Sequence, residues 1–246
     1  MRLLLVLVPL AGRVRRLDFR GVGYARYTVH AAEAQTHPSR LSGSRVPTHL
    51  SANHRTRMND MVSLTHERVL AIALENATNR ALLALLPKLD LPNCMLTAGC
   101  LFQTFWNVRS GRAAEWGIKD YDIAYFDEDL SWEAEDRVIA RVRDACRHLG
   151  VNVEVRNQAR VHLWYEAKFG AHYPQLKSVT EGIDRYLINS TCLGVDVVTG
   201  ELYSTYGLED LQNDVLSMNA RNPQPVLFRR KADSYRERWP WLKVAG

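Results

Sequence analysis

The chain has 246 residues, 46% of them hydrophobic, and a formal net charge of +5. Its length favours one domain or two closely packed ones, and its apolar content is sufficient for a buried core. The charge does not indicate a nucleic-acid-binding body, because residues 1–57 contain ten arginines and two acids and carry +8, which leaves −3 for the rest.

The N-terminal segment, residues 1–57, lacks the pattern of a folded domain. Its apolar run, residues 3–10, is far too short to cross a bilayer, and no other stretch of the chain is apolar enough to do so. Three arginines follow this run, and no clean signal-peptide cleavage site is present. We therefore expect a disordered arm, or a mis-set start with the natural beginning at Met58 or Met61, followed by one domain over residues 58–246.

The cysteines indicate a reducing compartment. Cys94, Cys100, Cys146 and Cys192 show no C-x-x-C spacing, and three of them fall within predicted elements or at their junctions. This pattern is typical of reduced thiols in a protein core, so we expect a cytoplasmic protein without membrane association.

The elements after the arm are predicted to be packing helices, a short buried strand and a tight turn. From Leu64 onward, apolar residues recur at helical spacing until two prolines close the region. Residues 94–97 then form a predicted strand, Gly99 and Cys100 a tight exit, and residues 101–107 a short helix.

The turn at Gly99 and Cys100 has two interpretations. A glycine turn that leads into a helix presents backbone N–H groups and the positive end of the helix dipole, which suit a triphosphate. A glycine is also what any tight strand-to-helix turn requires. The acids that follow favour the first interpretation, in which Cys100 contributes its backbone N–H, because a thiol is a weak donor.

Two aspartates on the next strand carry the clearest chemical signal. Residues 119–126 are predicted to form a strand on which Asp120 and Asp122 project from the same side, with α-carbons about 6.6 Å apart. At a separation of about 4 Å, two such charges repel by about 4 kcal/mol at an effective dielectric constant of about 20. Magnesium would offset this repulsion, because it prefers hard oxygen ligands. An edge strand whose charged face meets water is the alternative.

A third acid follows on another strand. Residues 132–149 are predicted to form an amphipathic helix, with Ser131 as its N-cap and Gly150 at its end. Residues 151–157 then alternate as a strand, with Glu154 on the polar face. The order of strand, helix and strand would bring Glu154 next to the two aspartates, so that three acids are available to one surface.

The polar alternation continues after Glu154. Arg160 keeps the period of two, either as a phosphate clamp with bidentate hydrogen bonds or as part of an ordinary polar sheet face. The remaining pattern predicts a helix at 180–187, strands at 191–197 and 202–205, a helix at 207–216 and a terminal helix at 229–239. The basic start of that last helix, residues 229–231, is expected to be solvated or to meet a substrate phosphate.

Together these motifs resemble the nucleotidyltransferase superfamily, whose pattern is Gly-Ser or Gly-Gly, a spacer, Asp-x-Asp and a later acid on another strand. The chain is more similar still to a bacterial nucleotidyltransferase-like family that was formerly described as a domain of unknown function. The resemblance covers about residues 60–245 and is carried by residues 98–100 with 106–107, 117–123 with 125–127, 156–165 and 206–211.

The resemblance implies an α/β (α+β) fold, with a small mixed sheet, flanking helices and the acids exposed on one open edge. It implies transfer of a nucleoside monophosphate from an NTP to an unknown acceptor, with release of pyrophosphate. Asp120, Asp122 and Glu154 would be catalytic and would hold two Mg²⁺ ions. Gly99 and Cys100 would bind the triphosphate, with Arg160 as a further nucleotide-binding residue.

Two departures from the superfamily pattern leave alternatives open. Cys100 stands where most members have Ser or Gly, and the spacer to Asp120 is longer than usual. The first alternative is therefore a nucleotide-binding module that keeps the fold without catalysing transfer. Nucleic-acid binding through the Arg-rich residues 1–57 is the second.

Overall fold

The computed structural model of the protein describes residues 63–245. The predictions for the N-terminal arm and for a start at Met58 or Met61 lie outside this range. The α-helices within it are His66–Ala73 (α1), Ala77–Leu85 (α2), Gly99–Arg109 (α3), Trp132–Cys146 (α4), His162–Phe169 (α5), Val179–Ile183 (α6), Glu209–Gln212 (α7) and Pro225–Arg238 (α8). The strands are Met95–Thr97 (β1), Tyr121–Tyr125 (β2), Val153–Asn157 (β3), Leu193–Asp196 (β4), Leu202–Ser204 (β5), Val215–Leu216 (β6) and Lys243–Val244 (β7).

Five of these strands form one mixed sheet in the order β3-β2-β1-β4-β5. β2 and β3 run parallel, whereas every other neighbouring pair in this sheet is antiparallel. Parallel neighbours need a crossover connection, and α4 provides it here. β6 and β7 form a separate parallel pair. The small mixed sheet with flanking helices that the sequence predicts is thus confirmed.

The crossover helix α4 starts at the predicted residue. The Ser131 hydroxyl accepts a hydrogen bond from the backbone N–H of Ala134 at 3.3 Å, as an N-cap does. After a short 3₁₀ turn, Gly150 takes the left-handed conformation with φ 65° and ends the segment. Val142 and Cys146 on its apolar stripe are buried, and the helix packs on β3. This packing holds β3 beside β2.

The two faces of the sheet carry different chemistry. Leu96, Ile123 and Val155 pair across β1, β2 and β3 and belong to the main hydrophobic core. Asp122 and Glu154 alternate with these residues and therefore project from the opposite face. A smaller apolar cluster, built mainly from β1, α6 and the start of β4, covers another part of that face. The apolar and polar alternation of the sequence thus separates the core from the acids.

The C-terminal helix α8 packs on α3 through aromatic side chains. The ring of Tyr235 lies 5.5 Å from that of Phe102 and 5.2 Å from that of Trp106, both in edge-to-face geometry. Trp239 lies 5.1 Å from Trp106, and both indoles are fully buried. Such pairs stabilise packing beyond the burial of their area. They hold α8 against the helix that follows the Gly99 turn.

No single helix within residues 63–245 is long and apolar enough to cross a membrane. The helix α1, joined to α2 and the 3₁₀ turn after it, has the length and apolar composition of a membrane span. The two parts are, however, bent by 102° relative to each other. In the structure, Val69 and Ile72 of α1 and Leu82 of α2 are buried in the main core.

The helix predicted at residues 207–216 is largely absent. It is reduced to the single turn α7, and Asp214 adopts a left-handed conformation with φ 64°. A residue in that conformation cannot continue a right-handed helix. The chain instead leaves the turn to form β6, which pairs with β7 near the end of the described range.

The strand alternation predicted to continue to Arg160 stops at Asn157. The Asn157 side-chain oxygen accepts a hydrogen bond from Ala159 N at 3.1 Å, which starts a 3₁₀ turn over residues 158–160. Arg160 therefore leaves the sheet. Its guanidinium forms a buried ion pair with Glu135 of α4, and Glu135 also accepts a hydrogen bond from Asn157 N at 3.0 Å. This cluster joins the start of α4 to the end of β3.

We expect Glu135→Ala to lower the free energy of unfolding by about 3–5 kcal/mol, because the variant leaves the Arg160 guanidinium buried without its partner. Glu133→Ala removes an exposed acid from the same first turn and should cost less than about 1 kcal/mol. Chemical denaturation of both variants measures the difference. Equal stabilities would show that the Glu135–Arg160 pair does not hold this junction together.

Candidate active site

The parallel pairing of β2 and β3 places two of the predicted site residues side by side. Asp122 and Glu154 are direct partners in the ladder, so their side chains project from the same face on adjacent strands. Asp120 lies two positions before Asp122, and its charge acts on both of the other carboxyl groups. The structure therefore brings all three acids into one region.

The two aspartates are buried and Glu154 is half-buried, whereas the sequence pattern predicts that all three acids lie on an exposed edge. Asp120 is 7% exposed and Asp122 is 3% exposed. β2 is an interior strand, flanked by β1 and β3, and α8 lies over this part of the sheet with Lys231 and Tyr235 in the same cleft as Asp122. The expectation was wrong because the sequence pattern does not indicate where the C-terminal helix packs.

Burial changes the proton affinity of the cluster. It raises the pKa of Asp122 well above its ordinary value, and the charges of Asp120 and Glu154 raise it further. Burial also raises the pKa of Glu154, and nearby Arg156 opposes that rise. The Oε2 atom of Glu154 is buried without a hydrogen-bond partner among the described residues. Because buried polar atoms without partners are costly, this arrangement favours a bound cation or proton.

The carboxylates fit a magnesium site as a partial ligand set. Within the described part of the chain, no three His, Cys, Asp or Glu side chains form a complete metal-binding group. Magnesium commonly takes one or two protein carboxylates and fills its remaining positions with water and substrate phosphates. Asp120 and Asp122 match that donor set, and the Oε2 atom of Glu154 offers a further hard oxygen.

The turn into α3 presents its backbone to the same region. Ala98, the N-cap residue, makes no side-chain hydrogen bond and has φ 61° and ψ −131°, which a residue with a Cβ atom rarely adopts. At Gly99 an added Cβ would lie 2.5 Å from the Nε2 atom of Gln103, so the Gln103 amide would have to shift. A helix N-terminus without a side-chain cap is suited to binding an anion through its first N–H groups.

Cys100 is placed to contribute its backbone and not its thiol. The side chain is fully buried, and Sγ donates a hydrogen bond to the Thr97 carbonyl at 3.4 Å. Burial raises the pKa of the thiol well above its ordinary value, and the charge of Asp122 adds to this. A reactive thiolate is therefore disfavoured at this position.

Lys231 of α8 lies beside the acids. It lines a cleft together with Gly99, Gln103 and Asp122, while its neighbours at positions 229 and 230 are exposed. Burial lowers the pKa of Lys231 to about 8, although Asp122 and Asp120 favour its charged form. The cation thus stands next to the carboxylates and the α3 turn, at a site where triphosphate charge would be stabilised.

A second cation on α8 supports the same cleft. Arg238 donates a hydrogen bond to the Gln103 side-chain oxygen at 2.7 Å, and the charge of Asp120 favours its ionised form. Lys231 and Arg238 are seven residues apart and therefore share one face of the helix. Arg229 and Arg236 show the same spacing but are exposed, so the sequence pattern of this helix does not distinguish Lys231 as a site residue.

Arg160 does not join this site. Its guanidinium pairs with Glu135, its Nε donates to the Leu130 carbonyl at 2.9 Å, and its charge lies 5.4 Å from the Trp132 ring. The predicted place of Arg160 on the face that carries Glu154 is wrong, because the 3₁₀ turn intervenes. Arg156 is the β3 arginine on that face, as the register shows.

Comparison with known proteins gives a family and a fold. Residues 84–244, about two thirds of the chain, match the family described as nucleotidyltransferase. One similar solved structure is that of a protein whose NMR structure reveals a CCA-adding enzyme head domain, with 22% identity, a TM-score of 0.60, and coverage of 74% of this chain and 96% of that one. The Thermotoga maritima CCA-adding enzyme complexed with tRNA is 11% identical, with a TM-score of 0.39 and coverage of 71% and 47%. No curated protein matches the chain.

The family match runs from α2 to β7 and includes the acids, the α3 turn and Lys231. The head-domain structure has the same fold as this chain over almost the whole length of the head domain. The chain therefore belongs to the nucleotidyltransferase family.

Proposed function

We propose that the protein transfers a nucleoside monophosphate from an NTP to an acceptor and releases pyrophosphate, in a magnesium-dependent reaction. The observation that carries this proposal is the pairing of Asp122 with Glu154 next to Asp120. Of these acids, Asp122 lines a cleft together with Gly99 and Lys231. The family match supports the use of an NTP in general terms. The acceptor is left open.

The metal-binding part of the proposal rests on the three acids. Asp120, Asp122 and Glu154 would hold two Mg²⁺ ions, which neutralise phosphate charge and activate the acceptor hydroxyl. The burial of Asp122 and the partnerless Oε2 atom of Glu154 support this assignment, because a bound cation would offset the cost of keeping both carboxylates ionised away from water.

The triphosphate would lie against the start of α3. Backbone N–H groups at Gly99 and Cys100 would donate to its oxygens, and the helix dipole would favour its charge. The Lys231 ammonium would contact the outer phosphates from the opposite wall of the cleft. Arg160 takes no part in this proposal, because its guanidinium is held by Glu135.

The transfer itself would be a substitution at the α-phosphorus of the NTP. The acceptor oxygen bonds to that phosphorus, and the bond from the phosphorus to the oxygen that bridges to the β-phosphate breaks. Pyrophosphate departs with the bonding electrons, and Lys231 stabilises its charge. The proton of the acceptor hydroxyl goes to the Oε2 atom of Glu154 where that atom does not complete the acceptor-side metal site, and to solvent where it does.

One observation favours a second candidate, a nucleotide-binding module without transferase activity. The Cys100 thiol points to the Thr97 carbonyl, so it cannot supply the side-chain phosphate contact that a serine at this position would offer. Binding of an NTP with magnesium, without pyrophosphate release, would identify this module. Nucleic-acid binding by residues 1–57 and a cytoplasmic location stay predictions from the sequence.

Asp122→Asn should reduce magnesium-dependent pyrophosphate release by about 10²- to 10³-fold or more, the loss expected when a principal electrostatic group is removed. Its melting temperature should be unchanged or higher, because the variant removes a buried charge that Asp120 and Glu154 repel. Asp136→Asn makes the same chemical change on the exposed surface of α4 and should alter neither property.

Cell extract supplies the unknown acceptor in this assay, and labelled NTPs report the transferred group. If Asp122→Asn keeps full activity, the catalytic assignment is wrong. If wild-type protein binds NTP with magnesium but never releases pyrophosphate, the non-catalytic module is correct.

Lys231→Met should weaken binding of NTP with magnesium by about 10- to 100-fold, because a charge-assisted hydrogen bond to phosphate is lost. Arg230→Met removes a cation from the adjacent, exposed position and should change the affinity little. Isothermal calorimetry on both variants makes the comparison. Identical affinities would exclude Lys231 from the triphosphate site.

A further inference from the structure

A second cleft lies on the carboxylate face of the sheet, beyond Glu154 along β3. It is bounded by the end of β3, by α5 with the segment after it, and by α6. Four of its lining residues are aromatic and two are arginines, namely Trp164, Tyr165, Tyr173, Tyr186, Arg156 and Arg185. The transfer reaction proposed above uses none of them.

The aromatic rings form one continuous wall. Tyr165 and Tyr173 have ring centroids 4.2 Å apart with planes inclined by 32°, and Trp164 lies 6.2 Å from Tyr165. Tyr165 is buried, and its hydroxyl accepts a hydrogen bond from the Gln224 amide at 3.1 Å, whereas Tyr173 keeps part of its surface exposed. A fixed ring beside a partly exposed one suits stacking of a planar ligand.

Cations and amides add polar groups to this wall. Arg156 follows Glu154 by two residues and pairs with Ala124 across the ladder, so it projects from the carboxylate face. The Arg185 guanidinium lies 5.8 Å from the centre of the Tyr173 ring. The amide side chains of Gln158 and Asn222 also line the cleft. Aromatic surface with a few placed donors and acceptors is what recognises a polar heterocycle.

The second cleft is joined to the acids through Tyr186. The ring of Tyr186 lines both this cleft and the one that contains Asp122 and Lys231. Its hydroxyl donates to the Thr97 hydroxyl at 3.1 Å, and Thr97 is the ladder partner of Asp122. A ligand stacked in the second cleft would therefore be adjacent to the atoms at which transfer takes place.

We propose that the second cleft binds a nucleobase. The identity of the ligand as a nucleotide rests on the proposed function, and the base belongs either to the donor NTP or to a nucleoside or nucleotide that serves as the acceptor. In both cases the ring stacks on the Tyr173 and Trp164 wall, the amides contact its polar edge, and Arg156 faces the ribose or phosphate between the two clefts.

Calorimetry with three kinds of probe, all in the presence of magnesium, separates binding of the base from binding of the phosphates. The probes are the four common NTPs, inorganic tripolyphosphate, which has no base, and the four nucleosides, which have no phosphate. Tyr173→Ala removes a ring that lines the cleft. Phe169→Ala is the matched control, because Phe169 packs 4.7 Å from Tyr165 without lining the cleft.

Tyr173→Ala should weaken binding of a base-containing probe by about 5- to 150-fold, the range for loss of one stacking ring, and should leave tripolyphosphate binding unchanged. Phe169→Ala should change neither affinity. Arg185→Gln is a second variant of the same wall and should also weaken the base-containing probe. A thermal melt shows whether each variant is folded. If Tyr173→Ala does not fold, the affinities of Arg185→Gln test whether the cleft binds a base.

The pattern of loss identifies the source of the base. If the donor base occupies the cleft, NTP affinity falls in Tyr173→Ala and nucleosides displace the NTP. If the acceptor base occupies it, NTP affinity is unchanged, nucleoside affinity falls, and the nucleoside binds together with the NTP. The proposal is overturned if neither affinity changes in the cleft variants, or if the wild type binds no nucleoside and holds NTPs no more tightly than tripolyphosphate.

Failure of this proposal differs from failure of the transferase assignment. Nucleoside binding that Tyr173→Ala weakens, in a protein that never releases pyrophosphate, would support the cleft and contradict the transfer. Pyrophosphate release together with NTP and nucleoside affinities that the cleft variants do not change would support the transfer and contradict the cleft.

Discussion

The arrangement of the whole site depends on the in-register parallel pairing of β2 with β3. This pairing sets Asp122 opposite Glu154. Burial raises the pKa of both carboxyl groups, and the charges of Asp120 and Glu154 raise the pKa of Asp122 further. The crossover helix enforces the register, because Glu135 near its start accepts a hydrogen bond from Asn157 at the end of β3. A cation at this point would offset the cost of holding Asp122 and Glu154 close together, as the proposed function requires.

The C-terminal helix converts the sheet face into a cleft. Aromatic packing of Tyr235 and Trp239 on α3 brings Lys231 and Arg238 near Asp120 and Asp122, although these cations come more than 100 residues after the two aspartates in the chain. The same packing shields Asp120 and Asp122 almost completely from bulk solvent, and electrostatic interactions are stronger in such surroundings. The helix therefore supplies both the counter-charge of the site and the low-dielectric surroundings in which that charge acts.

Much of the fold could be predicted from the sequence, because its signals are local. The Ser131 cap, the left-handed Gly150 and the alternation in β2 and β3 depend on neighbours a few residues away, and each was read correctly. The course of the chain after Asn157 could not be predicted in this way. The polar alternation there matches a strand, but the Asn157 side chain starts a turn instead, and Arg160 pairs with a helix 25 residues earlier.

The sequence by itself determined which three acids are candidates for the site and where the glycine turn lies. It also determined the order of strand, helix and strand that brings the acids together, since periodicity and capping act over short distances. Only the tertiary structure decided that Asp120 and Asp122 are buried, that Lys231 lies beside them, and that Tyr186 lines two clefts. These properties arise from contacts between elements that are distant in the chain, and packing of side chains in three dimensions selects those contacts.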